Sequence, residues 1–331
     1  MLWKKLAIFI FFAIFTLSLA ACSWTQYQGA LDRTASPPAL NLAEIPAFDY
    51  DRATPDIAAE VKENKQNYQV YFVKIRKNDF SLRSKNARAF YFEQKTAPGE
   101  KRPLLICLPP TGGPIELAKG FAEYYAQQGF HTITFYRREM FFNPKKDLEY
   151  NVNLIRQSVI DVRRALDYLA QKPNVDMDRV AVMGVSLGGI IASLVSEADG
   201  RVKATAMLVS SGNLPKIMAT SQYGRVARLR NGLMEQYKLG CREELINYAR
   251  QSMAVVDPIT YADRLDPARV LMINGYQDNI IKISAAEDTW RAMGQPEWRT
   301  LPVGHYSSFI LIGQAKRWTL AHFRKVLGLP S

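Results

Sequence analysis

Short apolar runs and helical runs take turns through the middle of this chain, and that alternation constrains its fold more than any other feature. Leu104-Leu105-Ile106-Cys107-Leu108 is a continuous apolar run of strand length. Residues 115–128 follow with helical spacing at Ile115, Leu117, Ala118, Phe121, Tyr124 and Tyr125, and stop at Gly129. Residues 130–136 read as a strand, and 152–170 as a helix with Ile155, Val159, Val162, Leu166 and Leu169 on one face. Residues 180–185, 187–197 and 202–209 then read as strand, helix and strand. Strands that are apolar throughout are buried on both faces, and the helices between them provide crossovers and cover. The expectation is an α/β fold with a mostly parallel central sheet and helices on both faces. Upstream, residues 68–75 and 87–93 are aromatic and β-branched with turn-like residues between them, which predicts an antiparallel start to the sheet.

The alternation breaks between Asn213 and Asp257. Residues 223–239 and 242–253 look helical with no strand between them, so a helical cap is expected at about 213–257. Its Arg225, Arg228, Arg230, Lys238, Arg242 and Arg250 read as a solvated helix face. The sheet resumes at 270–273, with a helix near 284–293, a strand at 298–301 and a last helix near 314–326. The folded domain is assigned to residues 66–331.

The first residues have another character. Lys4 and Lys5 precede an almost wholly apolar run to Ala21, the layout of a secretory signal over residues 1–21. Leu19-Ala20-Ala21-Cys22 resembles the lipobox of bacterial lipoproteins. That resemblance implies cleavage before Cys22, which becomes a lipidated N-terminus carrying palmitate-type chains, and anchoring to a membrane. Ser23, in place of Asp, implies the outer membrane facing the periplasm in a Gram-negative host. Residues 22–65, with Ser36-Pro37-Pro38, Pro46 and Pro55, read as a tether. Cys107 reads as a small buried hydrophobe, and no spacing argues that it pairs with Cys241.

Composition excludes several classes. An apolar fraction of 48% and a charged fraction of 22% suit a packed core. The net charge of +12 is spread along the chain, with neither zinc-finger spacing nor an aromatic RNA-binding signature, so no nucleic-acid partner is expected. Three histidines without clustered ligands predict neither a metal nor a cofactor.

Gly184-Val185-Ser186-Leu187-Gly188 fits G-x-S-x-G and lies between a buried strand and a helix, the setting a nucleophile elbow requires. A serine hydroxyl needs a base to take its proton. His131 opens a strand upstream of the motif and His322 lies inside a helix. His305 sits in a loop just after a strand, where it can reach the serine, and is the expected base. Asp278 leaves the strand 270–273 directly and is the expected partner of the imidazole. Oxyanion donors are expected from the backbone N–H groups of Leu187 and of Thr111, the first residue after Pro109-Pro110 with an N–H to give.

Together these loops look like the α/β-hydrolase superfamily. Residues 161–189 resemble its dienelactone-hydrolase and prolyl-oligopeptidase-like branches, where a helix, a short loop and a strand lead into the elbow. The resemblance covers roughly residues 68–327 and implies an α/β-hydrolase fold and a serine hydrolase acting on a small ester or acyl substrate. It departs from many relatives at Pro109-Pro110, where they carry His-Gly. A peptidase or acyltransferase of the same fold, or a lipoprotein that binds ligand without turnover, are the alternatives. Arg137-Arg138, just past a strand end, reads as a surface ion pair with Glu139 or a site for a substrate anion.

Overall fold

The computed structural model describes residues 26–27, 44–52, 56–76, 79–80, 82–112 and 115–330. The readings for the signal peptide and for Cys22 and Ser23 lie outside the described residues, as do Gly113 and Pro114 of the loop after the first buried strand.

Ten strands are described: β1 (Gln26–Tyr27), β2 (Ile57–Asn64), β3 (Tyr68–Ile75), β4 (Ala87–Gln94), β5 (Arg102–Leu108), β6 (His131–Phe135), β7 (Val175–Val185), β8 (Val202–Leu208), β9 (Val270–Gly275) and β10 (Glu297–Leu301). They form one sheet in the order β1-β10-β9-β8-β7-β5-β6-β4-β3-β2. The stretch from β10 to β6 is parallel. β4, β3 and β2 continue it antiparallel, as expected for β3 and β4.

Alternation along the buried strands builds two cores. Leu104, Ile106, Val180 and Val182 face α2 (Leu148–Leu169) and α3 (Leu187–Ala198), meeting Ile155, Val159, Ile190 and Leu194. Leu105, Cys107, Ala181 and Met183 face α1 (Ile115–Ala126) and α8 (Ile312–Val326), meeting Phe121, Tyr125 and Phe323. Each fully buried large aliphatic side chain contributes about 1.5–3 kcal/mol. The chain runs from β5 to β6 through α1 on one face, then returns past β5 to β7 through α2 on the other. The direction of winding therefore switches between β5 and β7, which opens a crevice at their carboxyl ends.

The cap lies between β8 and β9 as expected, but it holds three helices: α4 (Leu214–Thr220), α5 (Gly224–Gln236) and α6 (Arg242–Met253). The extra helix, α4, starts at an Asn213 cap with φ +52° and has Pro215 in its first turn. Its last carbonyls bind Arg230, whose Nη1 donates to Met218 O, Ala219 O and Ser221 O, so Arg230 is not a solvated charge. The helix α7 (Ile283–Ala292) covers the sheet between β9 and β10. Among the described residues no helix is long and apolar enough to cross a membrane.

Two readings need correction. The tether assigned to residues 22–65 ends earlier, because residues 44–64 contain structured parts of the domain. Phe48 is fully buried, and α2 holds this segment through Arg163 Nη1 to Phe48 O at 2.6 Å and Tyr50 Oη to Asp167 at 2.7 Å. β2 then forms the edge of the sheet, its Glu60, Lys62 and Glu63 exposed or half-exposed, as suits an edge strand that must resist further pairing. The second correction concerns Arg138, which makes no surface ion pair with Glu139. It forms a buried bidentate pair with Asp161 at 2.5 and 2.8 Å. Glu139 instead accepts from Ser84 N and Tyr150 Oη.

Candidate active site

Ser186 stands at the end of β7 with φ +56° and ψ −120°, a conformation costly for any residue with a Cβ. Its N–H donates to Leu208 O at 2.8 Å, and its carbonyl accepts from Ser210 Oγ at 2.7 Å. The flanking glycines allow backbone to touch backbone. A Cβ on Gly184 would lie 2.0 Å from Gly188 C, and one on Gly188 would lie 2.3 Å from Leu108 O. The second contact packs the exit of β5 directly against the elbow. The turn thus presents the Ser186 hydroxyl at the start of α3, the positive end of the helix dipole, while the Ser186 carbonyl accepts from Gly189 N at 2.9 Å.

The loops after β9 and β10 bring the other two residues in. They are joined by Tyr276 N to Leu301 O at 2.8 Å and Gln277 N to Val303 O at 3.1 Å. Gly275 permits the approach, since a Cβ there would meet Val303 O at 2.4 Å. Asp278 is buried, and its Oδ1 accepts from the N–H groups of Ile280 and Ile281, both at 2.8 Å. Its Oδ2 lies 2.6 Å from His305 Nδ1, and His305 Nε2 lies 3.0 Å from Ser186 Oγ. A carboxylate only accepts, so Nδ1 carries the proton and Nε2 is left to accept from the serine. Ser308 Oγ donates to His305 O at 2.6 Å and steadies the loop.

The remaining histidines are structural. His131 is fully buried; its Nε2 meets Asn174 O at 3.0 Å and its Nδ1 accepts from Gln94 N. Burial pushes its pKa down to about 4. His322 bonds Arg269 O, and burial lowers its pKa as well.

A cavity of about 580 Å³ opens onto Ser186 and His305, a size that suits a small organic ligand. Thr111 and Gly112, on the loop after β5, and Leu187 line it on the elbow side. The predicted oxyanion residues Leu187 and Thr111 therefore share a wall with Ser186. Leu117, Phe142, Val209, Ile217, Ile280 and Ile281 make most of the remainder apolar. Phe142 at φ +53° and Val209 at φ +42° join Ser186 in carrying positive φ at this wall, and Val209 is β-branched. Backbone strain is concentrated around the cavity. Nothing in the sequence marks Phe142, Val209, Tyr223 or Arg225 as lining residues. Their place depends on how the chain passes over the sheet edge.

The fold and this site define the α/β-hydrolase architecture. An acetyl xylan esterase from Paenibacillus sp. R4 superposes with a TM-score of 0.62 at 18% identity, over 82% of this chain and 90% of that one. An acylaminoacyl peptidase of Pyrococcus horikoshii superposes with a TM-score of 0.55 at 13% identity, over 80% of this chain and 43% of that one.

Sequence models point the same way over parts of the chain. Residues 88–224 match the Dienelactone hydrolase family, and residues 162–307 match the BAAT / Acyl-CoA thioester hydrolase C terminal family. The second match contains Ser186, Asp278 and His305. The acylamino-acid-releasing enzyme 1 of Oryza sativa subsp. japonica is 28% identical over an alignment of 137 positions that covers 38% of this chain and 18% of the rice protein's length.

Proposed function

We propose that this chain is a serine hydrolase that cleaves carboxylic esters through an acyl-enzyme on Ser186. The observation that carries the reading is the hydrogen-bonded row Ser186, His305, Asp278, with spacings of 3.0 and 2.6 Å, at the wall of an apolar cavity. His305 Nε2 takes the hydroxyl proton as Ser186 Oγ attacks the ester carbon. The N–H groups of Leu187 and Thr111 receive the developing oxyanion. The imidazolium then protonates the departing alkoxide oxygen as the C–O bond breaks. Water, deprotonated by the same imidazole, attacks the acyl-enzyme, releases the carboxylic acid and returns the proton to Ser186. Asp278 fixes the tautomer and stabilises the imidazolium.

The test is turnover of p-nitrophenyl butyrate. Ser186→Ala lowers it by several orders of magnitude, on the order of 10⁶ in a comparable triad. Turnover near the parent level in that variant overturns the mechanism. Supplying peptides or alcohols to the acyl-enzyme separates an esterase from a peptidase or acyltransferase. Lipid anchoring at Cys22 belongs to the same proposal and rests on the leader residues alone. Incorporation of labelled palmitate should be lost in Cys22→Ala; equal labelling of both proteins rejects it.

A further inference from the structure

The cavity beside Ser186 is lined mostly by apolar side chains. Arg225 is the single permanently charged side chain among its described lining residues. Among the described residues its side-chain partner is the Tyr223 ring, with the guanidinium carbon 5.8 Å from the ring centroid, and no carboxylate pairs with it. Arg225 is half-exposed, and it is the cation that an anionic group entering the cavity would meet at the wall. Arg225 lies in the first turn of α5, which contains no acidic residue and has no side-chain cap, so the helix dipole opposes the charge there.

A second cation stands near. Arg137 donates to Pro110 O at 2.7 Å, on the loop whose Thr111 and Gly112 line the same cavity. Burial holds Arg137 below its ordinary range, and the charge of Arg225 lowers it further. Arg225 on the wall and Arg137 on the Pro110 carbonyl bring two guanidinium groups to a cavity that Ile217, Val226, Ile280 and Phe309 otherwise line with apolar surface. The sequence had placed Arg225 on a solvated face, and its position on the cavity wall corrects that reading.

We infer that the cavity takes esters whose apolar chain ends in an oxyanion, a carboxylate or a phosphate, and that Arg225 is the residue that holds it. The inference rests on the hydrolase reading for its substrate class. Arg225 is a specificity residue here and takes no part in bond making. Guanidinium is suited to the task because its planar fork matches carboxylate and phosphate oxygens.

The experiment compares three p-nitrophenyl esters of one chain length on the full chain: the neutral hexanoate, the adipate monoester with a free carboxylate, and the 6-phosphohexanoate. Affinities are measured by calorimetry on Ser186→Ala, which cannot form the acyl-enzyme. At least one anionic ester should bind about tenfold or more tightly than the hexanoate, as a charge-assisted hydrogen bond provides. Which of the two binds better identifies the anion. Adding Arg225→Gln should bring the ratio close to one, and Arg225→Lys should restore part of it. Hexanoate binding as tightly as both anionic esters, or a ratio unmoved by Arg225→Gln, overturns the inference. Parent turnover is read separately. If the anionic preference appears but turnover survives in Ser186→Ala, the hydrolase reading falls while the assignment of Arg225 stands.

Discussion

The carboxyl edge of the sheet and the helical cap meet at one cavity, yet they are built in different ways. At the edge, backbone touches backbone: Gly184 faces Gly188, Gly188 faces Leu108 O, and Gly275 faces Val303 O. In the two longer cap helices, packing rests on narrow stripes, Val226, Leu229 and Leu233 in α5 and Leu245, Ala249 and Met253 in α6, with most other positions exposed or half-exposed. Close backbone contact leaves almost no choice of residue, whereas a stripe leaves two thirds of a helix free to vary. The edge is suited to holding the reacting groups in one geometry. The cap is suited to changing which molecule they meet.

The largest expected effect belongs to the edge. His305→Ala should lower ester turnover about as far as loss of the serine does, on the order of 10⁶, and Asp278→Asn by about 10⁴. A cap substitution such as Arg228→Ala, at an exposed position, should leave turnover within a few-fold in the same assay.

Glycine sharpens the contrast next. Gly188→Ala forces a Cβ into the Leu108 carbonyl and should cost more than about 4 kcal/mol, seen as loss of soluble protein or of the cooperative urea transition. Gly232, inside α5, has nothing within 4 Å of an added Cβ. Gly232→Ala is the smallest effect expected and has the opposite sign, a gain of about 1 kcal/mol in the same measurement. Equal losses at both glycines would remove the distinction between edge and cap.

Between these extremes lies the hinge of the cap. Asp257 accepts from Leu214 N at the start of α4 and from Ile259 N, at 3.0 and 3.2 Å. Burial raises its pKa from 3.8 to about 6. A carboxyl raised on folding binds more protons in the folded state. Its stabilising contribution is therefore complete below about pH 4 and is lost as pH rises through about 6. The loss is on the order of 2–3 kcal/mol. Urea midpoints measured across that window should fall more steeply for the parent than for Asp257→Asn. Parallel curves would detach the hinge from this titration.

The same contrast explains what could be read from sequence. β5, β7, β8 and β9 were legible because strands buried on both faces must be apolar along their length. Ser186 was legible because the elbow demands its glycines. Asp278 and His305 were legible because they follow sheet strands directly and few histidines compete. β2 was hidden because an edge strand keeps charged side chains and shows no apolar alternation. The buried turn at Pro46–Phe48 was hidden because its anchors, Ile45, Phe48 and Tyr50, are few and fall in no helical or strand period. α4 was missed because seven residues opened by Asn213 and Pro215 are too short to show helical periodicity. Arg225 carries the same signal as any solvated arginine, and only the path of the chain over the sheet edge sets it apart.

The central claim is that Ser186 is the nucleophile, activated by His305 held on Asp278. It is tested most directly by exposing the full chain to a fluorophosphonate and mapping the adduct by mass spectrometry. The account predicts a single adduct on Ser186 that disappears in Ser186→Ala and is nearly abolished in His305→Ala. An unreactive parent, or an adduct that persists undiminished in Ser186→Ala, would contradict it.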